Sequence, residues 1–239
     1  MQLKKIKKPA ILSVLFFLPV IFLLFLYPST NNYNPLPIVK NQVLDFSNLM
    51  STQTNVQLKD HITVLGFLGT DPESKIVETS NLKELIYDKF QGFKKFQVVM
   101  VVANNAEDKT ERLTKELSKF EPLKYWNFVS LDSLDTVKLF NSLKSSLVLD
   151  NNQATNNVFI IDKDLNQRGR FDDRNKREIK LNQTEYPLYS YDCTMVSELK
   201  NKMAAEDLRV LFTEYRQKRK GEFNSTTRRA DDLKGTTNE

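Results

Sequence analysis

Ile62-Thr63-Val64-Leu65-Gly66-Phe67-Leu68, continued by Gly69-Thr70-Asp71-Pro72-Glu73-Ser74-Lys75, is the stretch on which the fold turns. Its first seven residues form a short apolar run rich in strand-forming types and read as a buried strand, while Asp71 before Pro72 reads as the start of a helix. Three further runs of the same kind follow, at residues 96–102 (FQVVMVV), 126–131 (WNFVSL) and 158–162 (VFIID). Between them, apolar residues recur at helical spacing: Leu82, Leu85, Ile86 and Phe90, then Leu113, Leu117 and Phe120, then Leu134, Val137 and Leu143. Strand alternating with helix predicts an α/β protein, a central mixed sheet flanked by helices. Lys163-Asp164-Leu165-Asn166 predicts a turn that returns residues 167–171 as an antiparallel partner. A closing amphipathic helix is expected over residues 194–218, on the spacing of Val196, Leu199, Met203, Leu208, Leu211, Phe212 and Tyr215.

The 239 residues suffice for a single core with accessories. Six glycines and the lack of any glycine-rich phosphate cradle give nucleotide binding of the common kinds no support. One cysteine and one histidine exclude a disulfide framework, a zinc site built mainly from those types and a dithiol centre within the chain. The net charge of +5 is concentrated at one end: Lys4, Lys5, Lys7 and Lys8, with no acid among residues 1–30, leave +1 for residues 31–239. No nucleic-acid partner is therefore expected, and Arg216, Lys218, Arg219 and Lys220 read as a solvated helix end.

From Ala10 to Tyr27 the chain reads AILSVLFFLPVIFLLFLY, about 18 residues without a charge. The four lysines before it and the lack of a small-residue cleavage motif after it predict an uncleaved anchor over residues 1–30, with the rest outside the cytoplasm and in the periplasm of a Gram-negative source. Residues 31–39 read as an extended proline-containing linker, 40–218 as the folded domain and 219–239 as a polar tail.

The order strand, helix, strand, helix, strand, helix, hairpin and helix resembles a thioredoxin-like fold with one inserted unit. Leu44-Asp45-Phe46, followed by residues 56–67 (VQLKDHITVLGF), resembles the entrance of membrane-anchored thioredoxin-like proteins. Within that superfamily the chain is similar to the Sco/SenC copper-chaperone family over roughly residues 40–217. Pro72 falls where the motif after that family's first core strand has a proline, and residues 158–164 (VFIIDKD) resemble its later strand and hairpin.

That resemblance implies copper held by two thiolates separated by three residues and by a histidine just upstream of the later strand. Here the cysteine positions are Asp71 and Lys75, and Ala154-Thr155-Asn156-Asn157 contains no histidine. Soft sulfur ligands select Cu(I) and thiolates carry disulfide exchange, so neither chemistry is expected, nor any resident metal or cofactor. Asp71 reads as an N-cap with Pro72 at the first helical position, and Lys75 as its i,i+4 partner. The sharper alternative has Asp71, Glu73 and Lys75 recognise a polar ligand or partner at the former active-site cleft.

Cys193 reads as a buried or idle thiol, and His61 as a surface-turn residue. Arg168, Arg170, Arg174, Lys176 and Arg177, interleaved with Asp172 and Asp173, read as a solvated charged face. Tyr186, Tyr189 and Tyr191 suit either core or a partner surface. The leading expectation is a non-catalytic binding or assembly factor with an envelope protein as its partner, for oxidase biogenesis by analogy. Its rivals are an acid/base hydrolase using cleft carboxylates and a redox partner acting through Cys193.

Overall fold

The computed structural model describes residues 3–26, 34–50 and 55–220. The chain divides into two units, the first comprising residues 1–35 and 214–239 and the second residues 36–213.

In the first unit helix α1 spans Leu3–Leu26. Its described side chains, residues 11–23, cover about 20 Å at 1.5 Å per residue. Among the described residues no helix is long and apolar enough to cross a membrane, so the expected span is not shown. Tyr27, residues 31–33 of the expected linker and residues 221–239 of the expected tail lie outside the described residues.

The second unit is built on a sheet with strands β1 (Ile38–Lys40), β2 (Ile62–Gly69), β3 (Phe96–Ala103), β4 (Trp126–Leu131), β5 (Ala154–Ile161), β6 (Gln167–Arg168) and β7 (Tyr191–Asp192). Their order is β1-β6-β5-β2-β3-β4, with β7 also on β5. β2, β3 and β4 are parallel, and β5 runs antiparallel to β2 and to β6. The core order β6-β5-β2-β3, with β5 reversed, is the thioredoxin-like arrangement; β4 is the inserted strand that extends its edge. Hydrophobic runs of β2 and β3 are buried along their whole length because helices cover both faces.

Short helices connect the strands: α2 (Ile76–Leu82), running through a π-helical turn at Lys83–Tyr87 into α3 (Asp88–Phe90), then α4 (Glu107–Leu117), α5 (Ser133–Asn141) and α6 (Lys176–Lys180). Leu139, Phe140 and Leu143 pack on the face formed by Leu65, Phe67, Val99, Val101, Phe159 and Ile161. Phe67 meets Phe140 edge-on at 5.3 Å. On the opposite face Phe90 approaches Phe96 at 6.0 Å.

Several local expectations are corrected. Leu36 and Val39 are buried and Ile38–Lys40 pairs with β6, so the expected linker already contributes to the sheet. Phe120 lies beyond the end of α4 and is exposed. Leu134 and Val137 are exposed, since the inward side of α5 carries Asp135, Thr136, Leu139 and Phe140. Val196, the first helical residue, is exposed as well; from there the chain runs as a π-helix over Glu198–Asp207 and continues as α7 (Leu208–Lys220).

Candidate functional site

Gly69 makes the geometry of the site possible. Its φ is +61°, and an added Cβ would lie 1.8 Å from the carbonyl oxygen of Asn152. The backbone of residue 152 can therefore close on the end of β2, and Thr70 N donates to that carbonyl at 2.9 Å. The β2 register slips at this end against both neighbours, a bulge that turns the following residues out of the sheet. Pro72–Lys75 then form a 3-10 turn leading into α2.

Asp71 stands at the N-cap position, but its side chain makes no capping bond. Its Oδ1 accepts from Lys109 Nζ at 2.8 Å, across to α4. Ser74 bridges the turn instead, donating through Oγ to the Asp71 carbonyl at 2.7 Å. Glu73 forms a bidentate pair with Arg112 of α4, Nε to Oε1 at 2.8 Å and Nη2 to Oε2 at 3.0 Å. The Arg112 hydrogen bond holds the Glu73 carboxyl below its ordinary range. Two ion pairs thus lay the turn against α4, both exposed to solvent and so weakened by screening.

Lys75 turns the other way. Its Nζ donates to Asn156 Oδ1 at 2.6 Å and lies 3.9 Å from Glu78 Oε1. Asn156 belongs to the stretch in which the resemblance places a histidine, so the second thiolate position and the imidazole segment do meet in space. Cys193 also joins this neighbourhood, although 118 residues separate it from Lys75 in the numbering. Its backbone N donates to Asn156 O at 2.9 Å, and its carbonyl accepts from Asn81 Nδ2 at 3.0 Å. The thiol is buried, and burial, with Asp192, Glu78 and Glu198 nearby, pushes it far above the usual thiol range. It is a packing group in its present state.

Copper does not fit this donor set. An ammonium hydrogen-bonded to an amide oxygen occupies one position, and a carboxylate paired with a second ammonium occupies the other. Among the described residues no three His, Cys, Asp or Glu side chains are placed to hold a metal ion.

The remaining charged and polar residues divide differently from expectation. His61 sits in a turn with its Nδ1 2.9 Å from Lys59 O. Arg168 is buried with Asp162, Nε to Oδ2 at 3.1 Å, and is no part of a solvated face. Arg170 is half-buried: it donates to Asp207 Oδ1 at 2.7 Å, Asp173 Oδ1 at 2.8 Å and Glu206 Oε2 at 2.6 Å. Tyr191 is core and donates its hydroxyl to Asp207 Oδ2 at 2.5 Å, whereas Tyr186 is exposed. The buried Asp45 was readable only as part of a motif; its carboxylate accepts from the backbone N of Phe46, Leu58 and Lys59, tying Phe46 to the segment that leads into β2.

No family model and no curated protein matches this chain. Solved structures do. A SCO1/SenC family lipoprotein from Bacillus anthracis is similar at 17% identity and a TM-score of 0.43, covering 72% of this chain and 94% of its own. The apo Sco1 protein of Thermus thermophilus gives 15% identity and a TM-score of 0.43, covering 74% and 96%. A yeast mitochondrial 1-Cys peroxiredoxin gives 15% and 0.42, covering 79% and 80%. The fold rests on the strand order. Sco/SenC proteins are among the solved structures that this thioredoxin-like chain resembles.

Proposed function

We propose that the chain is a membrane-anchored, extracytoplasmic binding or assembly factor whose thioredoxin-like domain uses neither copper nor dithiol chemistry. The observation that carries this reading is the engagement of Lys75 with Asn156 and of Asp71 with Lys109. The loop that would present thiolates instead presents ion pairs and hydrogen bonds closed within the domain. The buried Cys193, with its thiol pushed up, supports an idle group over a redox one. Both carboxylates of the turn, Asp71 and Glu73, are neutralised by α4, which disfavours a general acid or base there. The uncharged stretch of residues 10–27 behind four lysines supports the anchor and its orientation. By the resemblance of its motifs, the partner is a component of a respiratory oxidase or of its assembly apparatus.

Copper titration tests the reading. The full chain is expected to show no stoichiometric submicromolar binding of Cu(I) or Cu(II). An Asp71→Cys/Lys75→Cys/Asn156→His variant is expected to gain Cu(I) binding, because it supplies two thiolates on one turn and an imidazole at position 156, which already meets position 75. Tight binding by the unaltered chain would overturn the proposal.

A further inference from the structure

The pole of the domain opposite the Asp71–Lys75 turn is formed by the segments that lead into β3 and β4. Phe93-Lys94-Lys95 precedes β3, and Lys119-Phe120-Glu121-Pro122-Leu123-Lys124-Tyr125 precedes β4. These segments lie side by side. Val98 N donates to Tyr125 O at 2.9 Å, Tyr125 N donates to the Tyr87 hydroxyl at 3.0 Å, and Gln91 Nε2 donates to Glu121 Oε2 at 3.1 Å.

Three aromatic rings stand out of this pole. Phe120 is 94% exposed, Phe93 48% and Tyr125 39%. Phe93 is backed by Phe212, ring stacked on ring at 4.3 Å, so the core already supports one side of it while the other faces solvent. Lys94, Lys95 and Lys124 are exposed among the rings, and Lys124 Nζ lies 5.1 Å above the Tyr125 ring. The acids of the pole are outnumbered. Glu116 pairs with Lys119 at 2.6 Å, Glu121 accepts from the neutral Gln91 amide and keeps its charge, and Lys59, Lys94, Lys95, Lys119 and Lys124 outnumber Asp60, Glu116 and Glu121 five to three. A positive surface with protruding aromatic rings remains.

Rings of this kind enter the headgroup region of a bilayer while lysines meet lipid phosphates. We propose that this pole docks on an anionic lipid bilayer. An acidic protein surface would satisfy the lysines but gives no account of a phenylalanine as exposed as Phe120. The inference rests on the anchor proposed above only for proximity, since tethering turns a weak surface affinity into a mostly docked population. Because the pole lies at the N-terminal ends of the parallel strands, docking turns the Asp71–Lys75 turn away from the lipid and toward a partner.

Amide hydrogen exchange of the full-length chain on vesicles tests the proposal. Vesicles of phosphatidylcholine alone are compared with phosphatidylcholine containing phosphatidylglycerol. Amides of residues 91–95 and 118–125 are expected to exchange about tenfold more slowly on the anionic vesicles, with residues 70–75 unchanged. Lys94→Glu/Lys95→Glu/Lys124→Glu is expected to remove that slowing, at about fivefold in surface affinity per lysine. Equal exchange on both vesicle types, slowing at the 70–75 turn instead, or slowing that survives charge reversal would overturn the proposal. Association with the phosphatidylcholine vesicles reports the anchor separately, so a failed anchor and a failed pole give different results.

Discussion

Arg168 and Asp162 show how much of this domain depends on single buried side chains. Both are almost inaccessible to solvent, and Arg168 also donates through Nη1 to Leu36 O at 2.8 Å, tying the chain entrance to β6. Asp162 Oδ1 accepts from the backbone N of Asp164 and Asn166, both at 2.9 Å, and so shapes the turn between β5 and β6. Burial pushes the Asp162 carboxyl up, while the Arg168 charge pulls it back. Arg168→Met should leave a buried carboxylate without its cation and destabilise the domain by about 3–5 kcal/mol, read as a lower urea midpoint. Adding Asp162→Asn, which keeps the turn acceptor and removes the charge, should restore much of the loss. The hairpin charges looked solvated in the sequence because alternating signs normally are. Arg168 is buried because β6 lies between β1 and β5, and the pairing with β1 involves residues 127 positions or more away in the chain.

Among the elements, the junction of β2 with the Pro72–Lys75 turn is the most constrained. Gly69→Ala places a methyl group against the Asn152 carbonyl at a backbone conformation that L side chains rarely adopt. A loss of about 2 kcal/mol or more is expected in denaturant unfolding; a change below half of that would mean that residue 152 yields easily. The closing helix explains its own irregular spacing. Leu199, Met203 and Leu208 are separated by four and then five residues, and all three are buried because the π-helical segment turns more slowly than an α-helix. For α5 the cap sets the phase: Asp132 accepts from Asp135 N at 2.7 Å, and Asp135, Thr136, Leu139 and Phe140 then face inward. Apolar periodicity located the helix but assigned Leu134 and Val137 to the wrong side.

Across the whole domain, Arg170, Asp173, Tyr191, Lys202, Glu206 and Asp207 join the hairpin, β7 and the Glu198–Asp207 helix in one network. Burial pushes the Asp207 carboxyl above its ordinary value of 3.8, against the lowering pull of Arg170 and Tyr191. The folded chain therefore keeps this proton at pH values where the unfolded chain has released it. Its contribution to stability is full below about pH 4 and falls as the pH rises through the folded value. Relative to Asp207→Asn, the unaltered chain should lose stability over that rise, measured as urea midpoints from about pH 4 upward; parallel profiles would show that Asp207 titrates as it does when unfolded. Strand and helix order, the hairpin turn and the absence of a thiol pair were determined by the sequence itself, because apolar period and residue chemistry are local properties. Which charges are buried, which side of α5 faces the core, the meeting of Lys75 with Asn156 and Cys193, and the exposed aromatic pole were decided only by the tertiary structure. Each depends on segments far apart in the chain being packed together, and the distances and desolvation that result have no local signature.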